Sequence, residues 1–295
     1  MKKVAILTGG TSSEREIALQ SAETVKAALE PHARVVVFDF PEQMDEFLSR
    51  KAEFDSCVPV FHGKGGEDGT VQGFLETLGM PYIFSGVAAH AVGMNKGLTK
   101  ELAKRAGILT PEYHVAGRGE THHFGCPVVV KPIGSGSSVG VRIVKEKEKV
   151  AEAVEEATAD GGEAIIEQFV AGEEFTVAVI EENGKTFALP VIQIKSKNEF
   201  FDLESKYDPA LCEELCPAPI DEGLARRLQT IAVRAHEVIK ARHVSRSDFI
   251  VDTSGEIWFL EINTIPGMTE NSLLPKAIRA SDRDFGELLM GWMER

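Results

Sequence analysis

The apolar run EIWFL passes directly into EINTIPGMTENS at residues 261–272. Strand side chains alternate between faces, so a strand ending here carries Glu261 and Asn263 on one side. Upstream stands Arg246–Ser247–Asp248. Ser254–Gly255 reads as a two-residue turn between the two segments. That register sets Asp248 opposite Glu261 and Arg246 opposite Asn263, with Ile250 and Phe259 continuing the same face inward. Two carboxylates directly across a ladder repel, so a proton, an arginine or a cation must stand between them. Two chemistries fit: a surface ion pair with Arg246, or a Mg²⁺ site. Magnesium takes few protein carboxylates and completes its octahedron with water and substrate phosphates.

Three further stretches carry chemistry-bearing residues. GSGSSVG at 134–140 has a backbone able to wrap a phosphate, with hydroxyls from Ser135, Ser137 and Ser138. It lacks the Gly-Lys-Ser/Thr ending of a Walker A loop and the spacing of the dinucleotide fingerprint. A plain hairpin loop is the competing reading. Lys131 stands at the exit of the preceding strand, VVVKP, where a strand-end lysine reaching solvent is equally ordinary. EQFVAGEEF (167–175) gathers Glu167, Glu173 and Glu174 around a glycine. HGKGGEDG (62–69) holds His62 and Glu67. Taken singly, these last two read as a solvated turn and a capped loop.

The elements that must position these residues begin with a buried strand, KVAILT (3–8), broken by Gly9–Gly10. A helical pattern follows, in which Thr11 with Glu14 and Ser13 with Glu16 both fit a capping box. RVVVFDF (34–40), a helix near 41–51 and FDSCVPVF (54–61) continue an alternation that predicts a parallel sheet with covering helices. In such sheets ligands sit beyond the carboxyl ends of strands, where both glycine loops fall. The character changes near Ser85–Gly86. Residues 87–107 read as helix, 126–132 and 142–144 as strands around the serine loop, and 164–170 as another strand. Asn183–Gly184 marks a hairpin within 174–194. Residues 195–219 have no periodicity and read as a long loop, the length of a functional lid. An amphipathic helix (223–241), the final hairpin (246–263) and a helix near 283–294 close the chain.

The 295 residues, 43% hydrophobic and 26% charged, are those of a globular protein. With 46 acidic and 32 basic residues the net charge is −14, which speaks against general nucleic-acid binding. Four scattered cysteines fit a reducing compartment. No apolar run approaches the ~20 residues that span a bilayer, and the N-terminus has too short an apolar stretch for a signal peptide. The expectation is a cytoplasmic protein without membrane or nucleic-acid partners.

Taken together, KPIGSGSSVGV, EQFVAGEEFTV, SRSDF and LEINTIPGMTENSLLP resemble the ATP-grasp ligases. GGTSSEREIALQSA, HGKGGEDGTVQGFLE and MNKGLTK narrow the resemblance to the D-alanine–D-alanine ligase family, over roughly residues 4–276. The resemblance implies an α/β fold of ATP-grasp type. A Rossmann-like parallel-sheet domain (1–86) would be followed by two α+β domains (87–170 and 171–295) sandwiching ATP, with a lid at 195–219. It implies ATP and two Mg²⁺ (or Mn²⁺), D-alanine as substrate, a homodimer, and a role in peptidoglycan precursor synthesis.

By match, Lys96, Lys131 and Ser138 would meet the nucleotide, with Glu167, Gln168, Phe169 and Val170 along the adenine and Glu174 on the ribose. Asp248, Glu261 and Asn263 would hold metal. Arg246 and the N–H of Gly267 would face the oxyanion of a tetrahedral intermediate. Glu14 would take the ammonium group of the first D-alanine, with Ser137 bridging it to Tyr207. His62 and Glu67 would border that pocket, Ser272 and Leu273 would bind the second carboxylate, and Lys206 would reach the transferring phosphate. Phe201 and Leu203 stand where the family often has tyrosines, and Gln168 where a charged residue is common. The Lys206–Tyr207 pair implies an amine rather than a hydroxy acid as second substrate. The rival readings are another ATP-grasp carboxylate–amine ligase and a non-catalytic nucleotide-binding module.

Overall fold

A computed structural model of the chain describes residues 1–120, 124–136, 139–196 and 212–294. Among the described residues the strands form three sheets. The first is parallel, of order β2-β1-β3, from β1 (Lys3–Gly9), β2 (Arg34–Phe40) and β3 (Ser56–Val60). Central β1 is apolar along nearly its whole length because helices cover both faces, as a parallel sheet requires. Helices α1 (Arg15–Leu29) and α2 (Met44–Arg50) complete the expected alternation, and α3 (Thr70–Thr77) follows the second glycine loop.

The capping boxes expected before α1 do not form. Glu14 is the N-cap and makes no side-chain cap bond. The Ser12 hydroxyl instead accepts from the Glu14 N–H at 3.2 Å and donates to the His62 carbonyl at 2.6 Å. A serine that could have capped the helix therefore ties the two glycine loops together.

The helix expected over 87–107 is two helices, α4 (Val87–Met94) and α5 (Lys96–Arg105). Asn95 has extended backbone, and its side chain accepts from the Leu98 N–H at 3.0 Å. An asparagine that caps a second helix must end the first. The break makes Lys96 the first residue of α5.

The second sheet is antiparallel, of order β4-β7-β5-β6, with β4 (Tyr113–Ala116), β5 (Val128–Pro132), β6 (Arg142–Val144) and β7 (Ala164–Gln168). Helix α6 (Val150–Ala157) covers it. Strand β4 was not anticipated; YHVA is too short to display a period.

The third sheet has the order β11-β10-β8-β12-β13, with β9 pairing beside β10 on the same strand. β8 (Gly172–Glu182) turns at Asn183–Gly184 into β9 (Lys185–Ala188), as expected, with positive φ at both turn residues. The return strand breaks at Leu189–Pro190–Val191 and resumes as β10 (Ile192–Ser196). Proline has no N–H for the ladder, so pairing lapses there. β11 (Cys212–Leu215) pairs with β10, so the stretch 195–219 is not loop throughout. α7 (Glu222–Val238) precedes β12 (Val244–Asp252) and β13 (Ile257–Asn263), then α8 (Leu273–Arg279) and α9 (Phe285–Trp292).

Alternation along β8 divides the third sheet's work. Phe175, Val177 and Val179 pack with Leu228, Ala232 and Ala235 of α7. On the other face Ala178 and Ile180 join Val4, Ile6, Leu274, Ile278 and Trp292 in one core. The first and third sheets are thereby joined by apolar contact. Helices α4 and α5 pack against β13. Among the described residues no helix is long and apolar enough to cross a membrane.

Candidate active site

The β12–β13 hairpin carries the acidic cluster, and its register has two offsets that cancel. Asp252 and Glu256 pair across a loop of Thr253, Ser254 and Gly255, not the expected two-residue turn. Gly255 takes φ +85°, and the Asp252 carboxylate accepts from the N–H groups of Ser254 and Glu256. The longer loop shifts the pairing by one, so Ile250 faces Trp258 and Phe249 faces Phe259. Phe259 therefore does not continue the acidic face; it lies in the core in edge contact with Phe249. A β-bulge at Leu260 restores the count. Asp248 then stands opposite Glu261 and Arg246 opposite Asn263, as the sequence implied. A bulge lets two neighbouring residues address one side, and Leu260 and Glu261 both line the cleft beside this strand.

Asp248 is held by several neighbours. Arg246 donates to it from Nε at 3.0 Å and Nη2 at 2.8 Å, Thr176 from its hydroxyl at 2.6 Å, and Asn263 approaches at 3.4 Å. Burial works against the Arg246 charge, but Asp248 outweighs it and lifts the guanidinium above its usual value. Glu261 lies 3.5 Å from Lys96 Nζ. Lys96 also donates to the Ser135 carbonyl, so one ammonium links the acidic strand to the serine loop.

The opposite wall belongs to the second sheet. Lys131 on β5 reaches Glu167 on β7 at 2.6 Å, and Lys100 of α5 reaches the other oxygen of the same carboxylate at 2.6 Å. All three are buried. Glu167 is held below the usual carboxylate range: burial opposes this, but the two ammonium groups prevail. Burial lowers Lys100 to about 8 against the pull of Glu167. Lys131, Glu167, Gln168, Phe169, Val170, Glu174, Arg246, Asp248, Glu261 and Leu273 line one open cleft between the two sheets.

A second group gathers at the carboxyl ends of β1 and β3. Glu14 lies where the serine loop meets the first sheet: a Cβ on Gly63 would stand 2.7 Å, and one on Gly136 3.0 Å, from its Oε2. Glu67 accepts from the Gly63 N–H at 2.8 Å. Burial, reinforced by the Glu14 carboxylate, pushes Glu67 up to about 8, so it is mostly protonated at neutral pH. His62 contacts the Ser21 hydroxyl at 3.1 Å, and burial lowers it to about 4. Ser21 also accepts from the Met268 N–H at 3.3 Å, which anchors the 264–272 loop to α1. In that loop Ser272 contacts the Thr269 hydroxyl at 2.7 Å, and a Cβ on Gly267 would lie 3.0 Å from Ser272 Oγ. Glu67, Lys96, Glu261 and Asn263 share a small pocket that connects the two groups.

Among the described residues no cluster of three or more His, Cys, Asp or Glu side chains could hold a metal ion. Asp248, Glu261 and Asn263 offer two carboxylates and an amide. Such an oxygen-only set is sparse for a resident metal but fits a hard cation that arrives with phosphates. Ser137, Ser138, Lys206 and Tyr207 lie outside the described residues.

The chain matches the family model described as D-ala D-ala ligase C-terminus over residues 102–293 and that described as D-ala D-ala ligase N-terminus over residues 39–85. A D-alanine–D-alanine ligase of Alcanivorax borkumensis is 40% identical over 99% of this chain and 94% of its own length. The chain belongs to the D-alanine–D-alanine ligase family. A family relative from Desulfotalea psychrophila is 39% identical over 97% of this chain and 92% of its own. Among solved members, the Bacillus anthracis ligase complexed with ATP superposes with a TM-score of 0.85 at 30% identity, covering 100% of this chain and 97% of its own. The fold is the ATP-grasp architecture of these ligases.

Two residues that contact the cleft's charged side chains escaped the sequence reading. Lys100 had a signal: Lys96 and Lys100 in MNKGLTK are one helical turn apart and share a face. Thr176 had none, because a threonine in a strand is ordinary until its neighbour proves to be Asp248.

Proposed function

We propose that this chain joins two D-alanines into D-alanyl-D-alanine at the expense of ATP, releasing ADP and phosphate, in the synthesis of peptidoglycan precursor. The observation that carries the proposal is one cleft that sets Lys96 and Lys131 against Asp248 and Glu261. That arrangement suits a polyphosphate and its counter-ions, and the likeness of the chain to these ligases extends over its length. A carboxylate oxygen of the first D-alanine attacks the γ-phosphorus and ADP departs, leaving an acyl phosphate. The amine of the second attacks the acyl carbon, the carbon–phosphate oxygen bond breaks, and phosphate leaves with the amide formed.

Phosphoryl transfer asks for position and charge compensation more than for covalent help. Lys96, Lys131 and Ser138 take the nucleotide, with Glu167 to Val170 along the adenine and Glu174 at the ribose. Asp248, Glu261 and Asn263 would hold two Mg²⁺ or Mn²⁺, which when bound neutralise charge on the phosphates. Glu14 receives the first ammonium group, and His62 and Glu67 lie close to the pocket of that amino acid. Arg246 and the Gly267 N–H donate to the oxyanion of the tetrahedral intermediate. Ser272 and the backbone of Leu273 receive the second carboxylate. The resemblance gives Ser137 and Tyr207 the bridge to Glu14, Lys206 the transferring phosphate, and the 195–219 stretch the exclusion of water from the acyl phosphate.

The division into 1–86, 87–170 and 171–295 is supported by each sheet lying within one of these ranges. A homodimer and a cytoplasmic location are proposed on the resemblance. ADP release with D-alanine, D-serine and D-lactate as second substrates tests the reaction. D-alanine is expected to be fastest at neutral pH; a faster rate with D-lactate would overturn the choice of an amine.

A further inference from the structure

Lys100 has no place in the chemistry above, yet its side chain is 0% exposed. A fully buried lysine is rare unless it is paired. Its ammonium lies 2.6 Å from Glu167 Oε1, donates to Thr110 Oγ1 at 2.7 Å and stands 3.5 Å from the Phe259 carbonyl. Lys131 holds Glu167 Oε2 at 2.6 Å. Glu167 thus has one negative charge and two ammonium groups against it. The three members differ in place: Lys131 and Glu167 line the cleft, whereas Lys100 does not.

We propose that Lys100 is a positioning residue for nucleotide binding, offsetting the charge of the Glu167 carboxylate from behind so that the Lys131 ammonium keeps its charge for an anionic group in the cleft. The inference rests on reading that cleft as the ATP site. Without Lys100, Glu167 and Lys131 form a neutral pair, and the Lys131 charge is spent on Glu167 alone. A phosphate then meets a neutral wall. With Lys100 in place the trio carries one net positive charge on the side that faces the nucleotide. Thr110 and the Phe259 carbonyl hold the Lys100 ammonium against β13, fixing the angle at which Glu167 presents its oxygens.

Titration calorimetry with MgATP on the full-length chain tests this with Lys100→Met, Glu167→Gln and the double variant. Lys100→Met is expected to weaken ATP binding on the order of 10- to 100-fold, the scale of one charge-assisted hydrogen bond. KM for D-alanine should change far less. The double variant has no carboxylate to neutralise Lys131, and its ATP affinity should return to within about threefold of Glu167→Gln alone, the limit of additivity for uncoupled sites. A purely structural Lys100 would lower Tm while leaving the ATP affinity of the folded variant unchanged, and that result overturns the inference. A double variant as weak as Lys100→Met relative to Glu167→Gln overturns it too. Should Lys100→Met fail to fold, Lys100→Gln takes its place, keeping an N–H donor without the charge, with the same expected and contrary outcomes. Failure of the wild-type chain to bind ATP would count against the ATP reading itself; wild-type binding with equal binding by the Lys100 variants would count against this inference alone.

Discussion

Asp248 accepts from Thr176 and from two nitrogens of Arg246 while standing opposite Glu261. Its carboxylate is held in place before any ligand arrives, as positioning by charge requires. Asp248→Asn or Glu261→Gln is expected to abolish ADP release in a protein that still folds; substantial turnover in either would remove these residues from the phosphate site. Arg246→Ala should lower kcat on the order of 10²-fold or more, the usual scale for an oxyanion donor. Glu67 makes a pH prediction. Its native value of about 8 lies above its ordinary value near 4.5, so the folded state holds the proton more tightly. The resulting stability is fully present below the ordinary value and is lost as pH rises through about 8. Thermal melts of wild type and Glu67→Gln should therefore diverge in the variant's favour between pH 5 and pH 9. A difference that stays flat over that range would contradict the burial argument.

At the scale of elements, the β12–β13 hairpin decides whether the acidic residues meet. The facing of Asp248 and Glu261 was legible from strand alternation. The reason it holds was not, since a three-residue loop and a bulge at Leu260 each shift the register by one. Loop length and bulges depend on backbone packing against β8 and α7, which residue types alone do not state. The Asn95 cap and the interruption at Pro190 were written in the sequence, as an N-cap residue and a missing donor, but lay hidden inside longer apolar patterns. Inserting one alanine after Leu260 should push Glu261 and Asn263 one position along β13 and onto the wrong face. Circular dichroism is expected to show a folded chain with turnover reduced on the order of 10²-fold or more, the scale of an ångström-level misplacement. Near-normal turnover would mean that the facing of Glu261 and Asn263 with Asp248 is dispensable. Gly172 marks another close approach, since a Cβ there would lie 2.2 Å from the Val251 carbonyl oxygen. Gly172→Ala should destabilise by roughly 1–3 kcal/mol, the range for overpacking, as read from denaturant midpoints.

In the whole molecule, the first sheet shares a core with α8 and α9, and the second sheet faces the third across the cleft. The serine loop touches Lys96 at Ser135 and approaches Glu14 at Gly136, so it links the cleft to the first sheet's glycine loops. The alternation of strands and helices announced the parallel sheet. The antiparallel sheets were harder to read because strands such as Tyr113–Ala116 and Cys212–Leu215 are four residues long, with half of a period-two pattern lost at their ends. The assembly has meaning only if both halves act on one substrate set. The direct measurement is ADP release with MgATP and D-alanine as the sole amino acid, with the product identified by mass spectrometry and L-alanine run in parallel. The expected result is one ADP per D-alanyl-D-alanine formed and no dipeptide from L-alanine; ADP release that ignores D-alanine, or dipeptide formed faster from L-alanine, would contradict the account.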